Sequence, residues 1–131
     1  MKKKETIILP GFEKLPFSSA VRAGDMIYLS GHAGMSDDNG TPLTTVEDQA
    51  VQTFENIKRT LEAAGSSLDD VVKVTCFLGD QKNFSKMNEA YLQYFKGDLP
   101  ARSTCITGLA LPNMLLEIEC VAYNPLVEGG A

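Results

Sequence analysis

The residues best suited to chemistry on a small molecule lie in two stretches of the last third of the chain. Arg102 and Thr104 sit in Pro100-Ala101-Arg102-Ser103-Thr104-Cys105-Ile106-Thr107, and Glu117 and Glu119 in Leu115-Leu116-Glu117-Ile118-Glu119-Cys120-Val121-Ala122. A planar guanidinium meets a carboxylate through two parallel hydrogen bonds, so Arg102 is suited to holding an organic acid. A glutamate beside a cation and among apolar neighbours, as Glu117 is, can be tuned to move a proton. The same residues have a plainer meaning. An arginine and a carboxylate on neighbouring strands form a cross-strand ion pair, worth at most about 1 kcal/mol where solvent reaches it. On residue types alone, a structural pair of Arg102 with Glu117 or Glu119 is slightly favoured over a ligand site.

Both stretches read as strands, connected through a turn at Leu111-Pro112-Asn113. Side chains alternate along a strand, so Arg102, Thr104 and Ile106 share one side, opposite Ser103, Cys105 and Thr107. Leu116, Ile118, Cys120 and Ala122 make an apolar side, opposite Glu117, Glu119 and Val121. On this alternation Cys105 points away from Arg102 toward the core and lacks a base, which disfavours it as a nucleophile. Ser30-Gly31-His32 places a serine two residues from a histidine at poor hydrogen-bond distance, without an orienting acid. Serine-hydrolase chemistry is disfavoured there, while Ser30 can still line a pocket.

Composition narrows the class. Residues 1–131 suit one domain with a core of its own. A hydrophobic fraction of 44% and a formal charge of −5 fit a soluble globular protein and argue against a nucleic-acid surface. The basic run Lys2-Lys3-Lys4 reads as a solvated terminus. Ile7-Ile8-Leu9 is too short for a signal sequence, and no stretch has the length of a membrane span. Cys76, Cys105 and Cys120 read as reduced, buried small hydrophobes, which points to the cytoplasm. One histidine, His32, excludes a histidine-rich metal site. No dinucleotide, phosphate-loop or zinc-protease motif is present.

The elements that must position these residues follow from periodicity. Ser18–Arg22 and Met26–Ser30 read as a hairpin about Gly24-Asp25, after a possible short strand in Thr6–Leu9. Thr44-Thr45-Val46-Glu47 has the form of a capping box. Behind it Val46, Ala50, Phe54, Ile57, Leu61 and Ala64 recur at helical spacing, up to a stop at Gly65. Val72, Val74, Cys76 and Leu78 predict the apolar side of a strand. A second helix, capped by Asp80 or Asn83, turns Phe84, Met87, Ala90 or Tyr91, and Tyr94 or Phe95 inward. The order β-β-β-α-β-α-β-β predicts an α+β fold, a single mixed β-sheet with two helices on one face. Arg102, Thr104, Glu117 and Glu119 are then expected together on the uncovered face, where oligomerisation would bury them.

The chain resembles the RidA/YjgF family of imine deaminases over essentially its whole length. The matching pieces are Pro16-Phe17-Ser18-Ser19-Ala20-Val21, Gly24 with Ser30-Gly31, Asn56-Ile57 through Ala64-Gly65, Asp70-Val71-Val72-Lys73, and Phe84 through Met87-Asn88 to Phe95. The most diagnostic pair is Pro100-Ala101-Arg102-Ser103 followed by Glu117-Ile118-Glu119. The resemblance implies a chorismate-mutase-like fold assembled as a homotrimer with clefts between subunits. It implies hydrolysis of 2-imino acids, or their enamine tautomers, to 2-keto acids and ammonia, without metal or organic cofactor. It implies that Arg102 grips the substrate carboxylate, that Glu117 places the water, and that Ser30 and Asn88 line the pocket. Two positions depart from the deaminase branch. Phe17 stands where many members have tyrosine, and Thr104, the pocket-facing hydroxyl, where many have cysteine. A non-catalytic binder of small carboxylates, or a regulatory protein on the same scaffold, is the alternative.

Overall fold

Five of the six apolar residues that predict the first helix are buried along one side of α1 (Val46–Ala63): Val46, Ala50, Phe54, Ile57 and Leu61. Ala64, the sixth, caps its end. The computed structural model describes residues 3–126. The helix starts one residue later than the predicted capping box. Thr45, not Thr44, is the cap, and its hydroxyl accepts the Asp48 N–H at 3.2 Å. The acidic Glu47 and Asp48 in the first turn suit the positive end of the helix. Gly65, at a φ of 81°, closes the other end: its N–H donates to Glu62 O at 3.0 Å and that of Ser66 to Leu61 O at 2.8 Å. The second helix, α2 (Phe84–Tyr94), follows a short 3-10 turn capped by Asp80, and buries Met87, Ala90 and Tyr91. The helices meet through aromatic rings. The Phe54 centroid lies 5.2 Å from that of Tyr94 and 5.9 Å from that of Tyr91.

Strands β1 (Glu5–Ile7), β2 (Ala20–Ala23), β3 (Met26–Leu29), β4 (Val71–Leu78), β5 (Ala101–Ile106) and β6 (Leu116–Tyr123) form one six-stranded sheet in the order β1-β2-β3-β6-β4-β5. Neighbours are antiparallel except β4 and β5, which run parallel with α2 as the crossover between them. Ile27, Leu29, Val74, Cys76, Leu78, Leu116, Ile118, Cys120 and Ala122 turn one sheet face into a core with the helices. The predicted α+β class and element order are thereby found.

Strand order overturns the predicted placement of the polar residues. The two segments thought to pair are separated by β4. Val74 is level with Arg102 on one side and Cys120 on the other, and Cys76 with Thr104 and Ile118. Arg102 and Thr104 therefore project on the helix side of the sheet. Glu117 and Glu119 project on the uncovered side, where Phe77 stands level with both Cys105 and Glu117. The shared polar face of Arg102 and Glu117 does not exist within one chain, and no ion pair joins Arg102 to Glu117 or Glu119. Alternation fixes which side chains share a side of their own strand, but not which side meets the helices.

Two smaller expectations fail for related reasons. Cys105 is exposed on the uncovered face, whereas Cys76 and Cys120 are buried as expected. Val72 is 44% exposed, because a bulge between Val71 and Lys73 shifts the register and gives the inward place to Val71.

Candidate functional site

Arg102 stands on β5, the strand at the sheet edge, and reaches back over α2. Its guanidinium carbon lies 4.7 Å from the Tyr91 ring centroid and 5.7 Å from that of Phe84. Two ring faces attract a cation without occupying its N–H donors. Phe84, Asn88 and Tyr91 recur at helical spacing, so Asn88 lies on the stripe that carries both rings. The guanidinium also opposes the effect of burial on the Cys76 thiol, which nevertheless rises to about 11. Beside this cluster a cleft of about 380 Å³ opens between α2 and β5, lined by Gln81, Phe84, Ser85, Thr104 and Ile106. Thr104, two residues from Arg102 on the same side, thus faces the cleft. A cation on an aromatic bed, without an ion-pair partner among the described residues, next to an open cleft, is fitted to receive a small organic anion.

The second cluster lies where β3 runs out beside β6. His32 N–H donates to Ile118 O at 2.7 Å, and Ile118 N–H donates to His32 O at 2.9 Å. This bridge lays Gly31 against Glu117 so closely that a β-carbon on Gly31 would meet the carboxylate. Glu117 is half-buried and has no ion-pair partner among the described residues. The Ser30 hydroxyl donates to Ser18 O at 2.6 Å, and Ser30 N–H to Ser19 O at 3.1 Å. Ser30 therefore pins the loop that carries Phe17, whose ring is 53% exposed.

His32 is a structural residue. Its Nδ1 meets Ser30 O at 2.7 Å, so that nitrogen carries the proton, and Nε2 accepts from the Thr60 hydroxyl at 2.8 Å. Burial holds the imidazole below its usual range, against a smaller opposing pull from the Ser30 carbonyl. The imidazole does not touch the Ser30 hydroxyl, which removes serine-hydrolase chemistry. Among the described residues no group of three or more histidine, cysteine or acidic side chains could hold a metal.

The residues singled out in the sequence thus fall into two groups. Arg102, Thr104 and Asn88 belong to the helix side at the β5 edge, and Glu117, Ser30 and Phe17 to the β3–β6 region. The rings beneath Arg102 were legible only as core. Their signal was an aromatic pair seven residues apart on the helix preceding the arginine's strand. Also missed was Arg22, a buried cation that donates to Asn124 O at 2.8 Å and to Ala64 O at 3.3 Å. Asn124 in turn donates to Asp70 Oδ2 at 3.0 Å, tying the end of α1 to the sheet.

Comparison with known proteins agrees with this architecture. The family model described as endoribonuclease L-PSP matches residues 13–124. A RutC family protein of Pyrococcus horikoshii is 41% identical over 110 residues, covering 83% of this chain and 87% of its own. A protein of Dermatophagoides farinae named 2-iminobutanoate/2-iminopropanoate deaminase is 36% identical over 107 residues, covering 81% and 84%. The crystal structure of YyfA from Yersinia pestis, a protein of the Rid family, superposes with a TM-score of 0.84 at 33% identity, over 92% of this chain and 98% of that one. With the order of strands, the two helices and a match over most of its length, the chain belongs to the YjgF/RidA family.

Proposed function

We propose that this protein hydrolyses reactive 2-imino acids, or their enamine tautomers, to 2-keto acids and ammonia. The observation that carries the reading is Arg102, an arginine on an aromatic bed beside an open cleft, with no carboxylate paired to it among the described residues. Deaminase names among the relatives support it.

Arg102 holds the carboxylate, which fixes the C2 carbon near Thr104 at the cleft. On the protonated imine, Glu117 accepts a proton from a water as its oxygen bonds to C2 and the C=N electron pair moves to nitrogen, giving a neutral carbinolamine. Glu117 returns that proton to the nitrogen, and the C–N bond breaks as the carbinolamine hydroxyl loses its proton and the C=O bond forms. One imine and one water give one ketone and one ammonia. Orientation of water and imine contributes on the order of 7–11 kcal/mol at best.

Arg102 and Glu117 project on opposite faces of one sheet, so a single chain offers them to different molecules. A second copy laid along the β5 edge would bring its own uncovered face, with Glu117, toward Arg102. That face also carries Tyr28 and Tyr123, each about half-exposed, at 49% and 50%. Burying them favours association, and the reading takes the assembly to be a homotrimer. Phe17 and Ser30 would reach the cleft from the same neighbour.

The test is to generate 2-iminobutanoate in place and follow its decay. Acceleration by the wild type and its loss in Arg102→Ala are expected; no acceleration overturns the reading. A second reading, a binder of small carboxylates without turnover, is favoured by Phe17, whose ring brings no hydroxyl. It predicts thermal stabilisation by 2-keto acids with no catalysed decay. Cleavage of RNA draws no support from a formal charge of −5.

A further inference from the structure

The cleft runs on past the place where a four-carbon acid would end. β5 presents Arg102, Thr104 and Ile106 to the helix side, and a strand rise of roughly 3.3 Å per residue carries Ile106 about 13 Å beyond Arg102. Ile106 is level with Leu78, the last residue of β4, and the chain reaches Gln81 three residues later. Gln81 and Ser85 therefore stand at the Ile106 end of the cleft of about 380 Å³. Phe84, with its ring centroid 5.7 Å from the Arg102 guanidinium carbon, and Thr104 join that end to the cation. Gln81, Phe84, Ser85 and Ile106 are all exposed and Thr104 is half-buried, so each can be reached from the cleft.

Resting on the reading of Arg102 as the carboxylate anchor, we infer that Gln81 and Ser85 are specificity-determining residues. The cleft takes the substituent that continues from C3, and these two side chains select acids whose substituent is long and carries an uncharged hydrogen-bond acceptor. The argument is one of direction and chemistry. With the carboxylate on Arg102 and C2 near Thr104, a longer substituent extends over Phe84 and Ile106, which offer it apolar surface. Beyond them a glutamine amide and a serine hydroxyl supply donors. No charged side chain lines the cleft, and the lysines on the same turns, Lys82 and Lys86, face Asp80 at 3.8 Å and Glu47 at 3.6 Å. A second carboxylate at the far end would meet no free cation, whereas a neutral oxygen would meet a donor.

L-Norleucine and O-methyl-L-homoserine have side chains of equal length that differ by one oxygen in place of a methylene. Their imines are generated in place with an amino-acid oxidase, and kcat/KM is taken from the decay above the uncatalysed rate. For the wild type the oxygen-bearing imine is expected to be favoured about three- to tenfold, roughly one hydrogen bond. Gln81→Leu/Ser85→Ala removes both donors at exposed positions, with Tm as the check on folding, and its ratio is expected to fall to about one. A wild-type ratio near one or below, or the same ratio in both proteins, overturns the assignment of Gln81 and Ser85. The imine of L-glutamate is expected to be turned over less well than that of O-methyl-L-homoserine; equal or better turnover overturns the uncharged class. No acceleration of any imine, 2-iminobutanoate included, or undiminished acceleration by Arg102→Ala, overturns the anchor reading itself and the inference with it.

Discussion

A β-carbon on Gly31 would lie 2.7 Å from Glu117 Cδ, so the missing side chain at residue 31 is what lets the carboxylate rest against the end of β3. Gly31 is exposed, and no helix depends on it. Gly31→Ala is expected to push Glu117 aside while leaving the core intact. A displacement of about 1 Å can cost on the order of 100-fold in rate. Steady-state kinetics should show kcat reduced 10- to 100-fold, approaching that of Glu117→Gln, with Tm within a few degrees of wild type. Wild-type kcat in Gly31→Ala would mean that Glu117 takes no part in the chemical step.

If the reacting groups come from two copies, they can be supplied by two different inactive chains. Arg102→Ala and Glu117→Gln should each be inactive alone. Unfolded together and refolded at equal amounts, they should regain about a quarter of wild-type activity, because random assembly restores both groups at about one site in four. Mixing without any gain would mean that one site does not draw Arg102 and Glu117 from two different copies.

His32 sets a direction for stability against pH. Its folded pKa is lowered, chiefly by burial, so below the ordinary histidine value near 6.5 the unfolded chain binds more protons than the folded one. The stabilisation is fully present above that value and is lost as pH falls through the folded pKa. Urea midpoints measured from pH 8 down to pH 5 should decline in the wild type and decline less steeply in His32→Gln. Parallel curves for the two proteins would rule out His32 as the source.

Arg22 holds α1 to the sheet through carbonyls rather than through an acidic partner of its own. Arg22→Ala leaves Ala64 O and Asn124 O, both half-buried, short of a donor. The expected destabilisation is about 2–4 kcal/mol in denaturant unfolding, with Arg22→Lys recovering only part of it. A loss below about 1 kcal/mol would show that water replaces the guanidinium without cost.

Much of the fold was legible because its signals are local. The stripe from Val46 to Leu61, the Gly65 stop and the hairpin at Gly24 each depend on residues close in sequence. The roles of Arg102 and Glu117 depend on which strand lies between them, and nothing in either stretch encodes that β4 does. The same limit hid the bed beneath Arg102, since a buried Tyr91 at helical spacing has the same pattern whether or not a cation covers it. Val72 was misplaced because a bulge inserts one residue without leaving a mark in the apolar pattern.

The parallel crossover β4-α2-β5 supplies Arg102, both rings below it, Asn88 and Thr104 from one unbroken run of chain. The setting of Glu117 draws instead on Ser18, Ser30, Gly31 and Ile118. On the proposed function, acid recognition and water placement are thus written in separate parts of the polypeptide. A relative could have its ligand preference recast by exchange of the crossover as a cassette, with the glutamate and its surroundings left as they were.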